Sequence, residues 1–319
     1  MVCMTNYLAS GFLLATITGA SVCGAGSGLP RIPPHWVQAG LILDGSSAPA
    51  DGTANPSQSC SGVSFSRNLK YGESDQNVLD VATGGAKETS PRPVLLFVVG
   101  ESFAGNHGAP DVSPALQDQA MCFAARNGMV GVKVSYRLAP ANPWPAGARD
   151  VAAAISWVYQ NIDLFGGNHD EIVPVGYAVG AFHVASLLAH PEFQESDSDV
   201  AGAVLVSGLY RLSSDASADE KSYLGADASK YDERSALPGI LRLEIPLLLA
   251  WSTADPPPLV AQGETLKELL CNSPTQCPHL TVLRNREDLA SLFGPDASGG
   301  SLLEPIQELV REIEARGLP

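Results

Sequence analysis

Apolar and polar positions alternate in long blocks along the chain after residue 62. Continuous apolar runs lie at 93–99, 129–136, 172–175, 200–206 and 246–251. Such a run predicts a strand that is buried on both faces, as in a parallel sheet. Between two of the runs, Val151, Ala154, Ile155 and Val158 recur at the spacing of one buried helix face. Strands that alternate with helices predict an α/β fold with a mostly parallel central sheet and helices on both faces.

The same patterns predict the remaining elements. Helices are expected at 113–127, 146–162, 259–271 and 302–316, together with a last strand at 279–283 and an edge hairpin that ends near residue 81. Residues 207–239 are polar and irregular, and they are long for a simple connection. We therefore expect them to form a lid or short cap over a pocket.

The strand at 172–175 leads directly into the sequence GYAVG at 176–180, and a helical pattern follows it. Strand, tight turn and helix form the layout of a nucleophile elbow. The two glycines of this turn allow the backbone to bend sharply and the helix to pack closely on the strand. In a serine hydrolase the central residue is Ser. Here it is Ala178, which has no nucleophilic atom.

Composition and charge limit the kinds of molecule that the protein is expected to bind. The formal net charge is −15, which argues against binding to nucleic acid or to an anionic membrane surface. The hydrophobic content of 45% suffices for a large core, and no linker divides the chain after residue 62. We therefore predict one domain over 62–319 that binds a small-molecule ligand or substrate.

The N-terminus resembles an export signal. Residues 7–22 are apolar or small and are followed by the small residues of 23–26, although no Lys or Arg precedes them. The run is short for a stable membrane span. We predict a signal peptide at 1–25, a loose arm at 26–61, and a secreted or periplasmic protein. The alternative is a buried or disordered N-terminal helix in a cytosolic protein.

Four cysteines remain after the predicted signal peptide: Cys60, Cys122, Cys271 and Cys277. An oxidising compartment would permit Cys271 and Cys277 to pair across the short turn between them, but spacing leaves the connectivity open. No Cys or His cluster has the spacing of a zinc site. We expect neither a metal nor a cofactor.

Several motifs together resemble those of a known family. Residues 135–140 read SYRLAP and are followed by Pro145-Ala146 and Asp150, and further similar segments lie at 207–210, 223–227, 245–248 and 255–256. This pattern is similar to that of the carboxylesterase-like α/β hydrolases over most of the chain from 71 to 312. The resemblance implies the α/β-hydrolase fold with a short cap.

The resemblance also implies a catalytic site, and three of its features are altered here. The nucleophile Ser of the family is Ala178. The His-Gly-Gly-Gly loop, whose amides form the oxyanion hole, reads VGES at 99–102, so that Glu101 and Ser102 replace two glycines. The histidine that follows the last strand is Arg286, whereas Asp255 retains the triad acid. The family's pocket would be bordered by Gly100, Glu101, Ser102, Tyr177 and Val179.

These changes weigh against ordinary ester hydrolysis. Alanine cannot attack a carbonyl carbon, and arginine, whose pKa lies above about 12, cannot act as the base. Loss of the Ser or the His alone typically costs about a million-fold in turnover. A laboratory Ser→Ala change would account for Ala178 but not for Arg286 or for the altered loop.

Three interpretations follow. The favoured one is a homologue without a standard triad that binds a small molecule in the family's pocket. The first alternative is an enzyme with non-hydrolytic chemistry, such as a lyase, isomerase or cyclase, that uses Glu101, Asp255 and Arg286. The second is a residual or divergent ester hydrolase with another nucleophile, for which Ser102 is a weak candidate. Alternatively, Arg286 forms only a structural ion pair with Asp255 or Glu101 and takes no part in ligand binding or catalysis.

Overall fold

A computed structural model describes residues 60–85, 90–100, 102–104, 114–194, 200–273, 276–284 and 301–317. The predicted signal peptide and almost all of the predicted arm lie outside these residues. Glu101 and Arg286 also lie outside them.

The described residues form one eight-stranded sheet with the order β1-β2-β4-β3-β5-β6-β7-β8. Its strands are β1 (Val63–Lys70), β2 (Val78–Gly84), β3 (Arg92–Gly100), β4 (Val130–Val134), β5 (Gly167–Ala178), β6 (Ala203–Val206), β7 (Leu247–Ser252) and β8 (His279–Leu283). The β1–β2 and β2–β4 pairs are antiparallel, and every other pair is parallel. The expected mostly parallel sheet is therefore present.

Helices alternate with the parallel strands. They are α1 (Pro114–Arg126), α2 (Ala146–Asn161), α3 (Val179–Ala189), α4 (Ala218–Leu224), α5 (Tyr231–Arg234), α6 (Pro257–Leu270) and α7 (Leu303–Arg316). Helices α1 and α7 pack on one face of the sheet in a single apolar cluster that includes Phe97, Met121 and Leu309. No helix in the described part of the chain is long and apolar enough to cross a bilayer.

Two elements differ from the sequence prediction. Strand β5 begins at Gly167 rather than at residue 172, because the polar residues before the apolar run continue the strand, and Arg92 of β3 pairs with Gly167. The segment 207–239 is not irregular throughout, since it contains α4 and α5. Helix α4 begins with a capping box in which Ser217 accepts a hydrogen bond from the amide of Glu220 while the Glu220 carboxylate accepts one from the amide of Ser217. This local signal stabilises a helix too short to show apolar periodicity.

Two disulfides join elements of the fold. Cys60 pairs with Cys122 and ties the residues before β1 to α1. Cys271 pairs with Cys277 across the turn between α6 and β8. The second pairing is the one that the short spacing permitted, whereas the first joins residues that are distant in the sequence.

Candidate functional site

The turn between β5 and α3 has the sharp geometry expected of an elbow. Ala178 adopts φ 51° and ψ −114°, a conformation that L-residues rarely occupy. A Cβ atom on Gly180 would lie 1.8 Å from the carbonyl oxygen of Val98, and one on Gly176 would lie 2.5 Å from Cα of Ala181. Only glycine fits at these two positions. Ala178 is therefore held in a strained backbone conformation in the tight turn between β5 and α3.

The end of β3 lies beside this turn, since Gly100 pairs with Ala178 in the parallel register. A Cβ atom on Gly100 would lie 2.0 Å from the hydroxyl oxygen of Tyr136, so a larger residue here would displace this buried ring. Two other predicted pocket residues, Val179 and Tyr177, do not line a common site, because they pack in different apolar clusters. Tyr177 packs against the cluster of α1 and α7, whereas Val179 belongs to a second apolar cluster under the cap.

Asp255 lies at the end of β7 and is held by neighbouring groups. Its Oδ2 accepts hydrogen bonds from the Ser207 hydroxyl at 2.6 Å and from the Ser252 amide at 2.9 Å. Ser207 is buried, follows β6 directly and has a φ of 51°. The positive φ therefore occurs at two adjacent strand ends, Ala178 on β5 and Ser207 on β6.

The loop after β3 is bound to the cap segment through Asp219 of α4. The Ser102 hydroxyl donates to Oδ1 of Asp219 at 2.8 Å, and the amide of Ala104 donates to the same oxygen at 3.0 Å. The amide of Phe103 donates to Oδ2 at 2.8 Å. One carboxylate thus receives three hydrogen bonds from three consecutive residues.

Apolar side chains of the cap pack on the elbow helix. A cluster joins Val179 and Phe182 of α3 to residues of the loop and of the cap segment, namely Phe103, Ala139, Leu212, Ala216, Tyr223, Leu224 and Tyr231. The rings of Phe103 and Tyr223 stack at a centroid distance of 5.1 Å. The cap therefore lies directly beside the residue that follows Ala178.

His183 on α3 is surrounded by aromatic rings. Its ring centroid lies 4.7 Å from that of Tyr136 and 5.2 Å from that of Tyr223. Burial lowers the pKa of His183 to about 3, so the imidazole is neutral at ordinary pH. Its Nδ1 has no hydrogen-bond partner among the residues that the structure describes. In this position His183 is a packing residue of the core.

The motif residues Arg137 and Asp150 form an ion pair rather than a reactive group. The guanidinium of Arg137 donates to both carboxylate oxygens of Asp150 at 2.7–3.1 Å, and the amide of Arg137 donates to Oδ2 at 2.8 Å. The hydrogen bond that Arg137 donates to the carboxylate of Asp150 raises the pKa of Arg137. This pair fixes the start of α2 against the residues after β4.

A separate groove of about 540 Å³ lies between α6 and the strands β7 and β8. Its walls include Trp251, Val260 and Val282, and charged side chains of α6 line its rim. It contains none of the residues predicted for the functional site. Within the described ranges, no group of three or more His, Cys, Asp or Glu side chains is placed to hold a metal ion.

Comparison with known proteins identifies the family. The BD-FAE family model matches residues 79–270, which is more than half of the chain. The chain belongs to the BD-FAE family. Esterase LipC of Mycobacterium tuberculosis is 34% identical over 154 residues, which cover 45% of this chain and 36% of that protein. Esterase LipQ of the same organism is 30% identical over 184 residues, which cover 54% and 41%. The chain therefore spans about two fifths of the length of these curated relatives.

A solved structure shares the fold of this chain. Esterase B from Lactobacillus rhamnosis, bound to a tributyrin phosphonate, superposes with a TM-score of 0.67 at 13% identity and covers 88% of this chain and 96% of that one. With the family match, this confirms the predicted α/β-hydrolase fold. The BD-FAE match begins in β2 and ends with α6, so it includes the elbow, the cap and Asp255.

The sequence prediction of the candidate site includes neither Ser207 nor Asp219. Ser207 stands only within a family-like segment, and Asp219 lies in the polar segment at 207–239. The hydrogen bonds of these two residues join positions that are distant in the sequence. Ser207 and Asp255 are 48 positions apart, and Ser102 and Asp219 are 117 positions apart. The capping box at Ser217 could have placed Asp219 in the first turn of a helix, but no sequence signal identifies its partners.

Proposed function

We propose that this BD-FAE family member is not a conventional esterase and that it binds a small molecule in the pocket bordered by the elbow. The observation that carries this proposal is Ala178, which occupies the strained turn after β5 with both flanking glycines packed against backbone atoms. The elbow geometry is retained although the residue has no nucleophilic atom. Retention of a costly backbone conformation is expected where the shape of the pocket still matters.

The surroundings of Asp255 and Ser102 support the same proposal. In the described part of the chain, Asp255 accepts hydrogen bonds from Ser207 and Ser252, neither of which can act as the base that a triad requires. The Ser102 hydroxyl donates to the carboxylate of Asp219, which belongs to the cap. The alternative of non-hydrolytic chemistry depends on Glu101 and Arg286, which lie outside the described residues, and no observation favours it.

Export to an oxidising compartment is part of the proposal. The Cys60–Cys122 and Cys271–Cys277 pairs support it, because structural disulfides persist mainly in secreted and periplasmic proteins. A titration of free thiols in the native chain tests this point: pairing of the four cysteines agrees with export, and four free thiols contradict it.

Restoration of the triad tests the proposed activity. We would compare the hydrolysis of a short p-nitrophenyl ester by the parent chain, by Ala178→Ser, by Arg286→His and by the double variant. The parent and the two single variants are expected to remain at background, because each lacks the nucleophile or the base. The double variant is expected to gain turnover, and addition of Asp255→Asn should remove that gain.

Activity of the parent chain decides against the proposal. If the parent hydrolyses the ester and a Ser102→Ala variant loses this activity, the protein is a divergent hydrolase with Ser102 as nucleophile. If the parent is active and Ser102→Ala has no effect, the nucleophile is a residue not considered above. Either result would refute the absence of conventional esterase activity.

A further inference from the structure

Asp219 of α4 joins the cap segment to residues 102–104 through three hydrogen bonds. Ser102, Phe103 and Ala104 direct one hydroxyl and two amide groups onto the two oxygens of one carboxylate, at 2.8–3.0 Å. Hydrogen bonds to an ionised acceptor are roughly twice as strong as those between neutral groups. The three donors lie in the loop that follows β3. Gly100, the last residue of β3, pairs with Ala178. The contact therefore joins the cap to the loop that borders the elbow.

Helix α4 has a second and different attachment. The Tyr223 hydroxyl accepts a hydrogen bond from the amide of Gly147 at 3.0 Å, and the Tyr223 carbonyl accepts one from the amide of Trp144 at 2.8 Å. Tyr223 is almost completely buried, whereas Asp219 is half-buried at the surface. Of the two attachments, only the one at Asp219 is partly accessible to solvent, and its loss would loosen the loop that carries Phe103 of the apolar cluster.

We propose that Asp219 is a positioning residue that latches the cap onto the loop after β3 and so controls the access of a neutral, apolar ligand to the elbow. The apolar class follows from what the cap covers, since Phe103, Val179, Leu212 and Tyr223 form one cluster. A neutral ligand follows because the donors of the loop already serve Asp219, so that an anionic ligand would have to compete with a tethered carboxylate. This inference rests on the proposed function, because the cap matters only if the elbow borders a ligand pocket.

The latch is tested in the full-length chain by hydrogen exchange and by binding of Nile red, a neutral apolar dye. In Asp219→Ala, exchange at the amides of Phe103 and Ala104 is expected to rise by about tenfold or more, because both lose their acceptor. Nile red emission is expected to rise several-fold as the cluster under the cap opens. Asp215→Asn, which removes the same charge from an exposed position of the cap segment, should change neither quantity.

Chemical rescue separates a latch from a general loss of structure. Formate added in excess supplies a carboxylate to the three donors, and in Asp219→Ala it should restore exchange protection at Phe103 and Ala104. If Asp219→Ala does not fold, Asp219→Asn serves instead, since it keeps one acceptor oxygen and should give an intermediate increase in exchange.

Two results would overturn the latch. One is unchanged exchange at both amides in whichever of the two variants folds, and the other is increased exchange in Asp219→Ala that formate does not reverse. Neither readout uses ester hydrolysis. A parent chain that hydrolyses esters would therefore contradict the proposed function but not the latch. Unchanged amide exchange in the Asp219 variants would contradict the latch but not the proposed function.

Discussion

The hydroxyl of Ser207 donates a 2.6 Å hydrogen bond to Oδ2 of Asp255 and joins the ends of β6 and β7. Ser207 holds this position with a φ of 51°, which costs a non-glycine residue about 1–3 kcal/mol. Asp255 is thus held on one carboxylate oxygen by a buried serine and by the backbone of its own turn. In this chain the contact joins two neighbouring strand ends of the sheet beside the elbow.

A double-mutant cycle between Ser207→Ala and Asp255→Asn should measure this contact. We expect a coupling free energy of about 1–2 kcal/mol from urea unfolding, because a hydrogen bond to a charged acceptor is lost in either single variant. The control is a cycle on Ser229 and Asp227, whose hydroxyl and carboxylate are also 2.6 Å apart but exposed. A coupling at Ser207 no larger than that of the control would show that the buried contact contributes nothing.

Ala178→Gly is expected to stabilise the protein by about 1 kcal/mol, because relief of the strain at φ 51° exceeds the entropy that glycine adds to the unfolded chain. Ala185→Gly in the interior of α3 is the matched control and should destabilise by about 1 kcal/mol or more. Urea midpoints of the two variants should therefore move in opposite directions. Destabilisation by both changes would mean that the turn at Ala178 stores no strain.

His183 should make stability fall as the pH falls from 7 to 5. Burial lowers its pKa from 6.5 to about 3. Below pH 6.5 the imidazole of His183 is protonated in the unfolded chain but stays neutral in the folded chain. The stability that is fully present above pH 6.5 is therefore lost progressively as the pH falls toward 3. For one such group the loss between pH 7 and 5 is about 2 kcal/mol.

His183→Phe, which keeps a planar ring among the aromatic neighbours, should remove that share of the pH dependence. His169→Phe changes an exposed histidine and should leave the dependence of the parent in place. The measurement is urea unfolding of the three proteins at both pH values. If the free energy of unfolding of His183→Phe falls between pH 7 and 5 by as much as that of the parent, His183 is not the group responsible for the pH dependence.

Asp80→Asn should destabilise the protein by about 2–4 kcal/mol at neutral pH, since Arg67 and Lys133 would lose a buried ionic partner. Burial alone would raise the pKa of Asp80, but the charge and hydrogen bond of Lys133, the amide of Asn68 and the hydrogen bond of Arg67 lower it overall. The stabilisation is therefore present above the pKa of the unfolded chain and disappears as the pH falls through the lower pKa of the folded chain.

Acid unfolding of Asp80→Asn should accordingly depend less on pH below about 4 than that of the parent. Asp75→Asn is the control, because the Lys70–Asp75 pair has the same 3.0 Å distance as Arg67–Asp80 but is exposed. It should leave both stability and its pH dependence unchanged. If Asp75→Asn destabilises the chain as much as Asp80→Asn, burial of the pair is not what makes it matter.

The sequence by itself determined the order of strands and helices and the position of the elbow. Both depend on local information, because the apolar run at 172–175 and the glycines at 176 and 180 lie within ten residues. The family-like motif at 135–150 contains Arg137 and Asp150, which the fold joins in an ion pair across only 13 residues, although the sequence did not predict that they would pair. Short-range periodicity and turn chemistry are enough for elements of this kind.

Only the tertiary structure decided what the polar residues of the site contact. The Ser207–Asp255 bond, the three bonds to Asp219 and the Cys60–Cys122 disulfide join residues 48 to 117 positions apart. Ser207 and Asp255 meet because β6 and β7 end at the same edge of a parallel sheet, whereas the other contacts depend on how the helices that carry Asp219 and Cys122 pack. The chain between such partners leaves no periodic trace of their contact. The residue types at the elbow could therefore be read from the sequence. Their partners depend on how the strands and the cap pack.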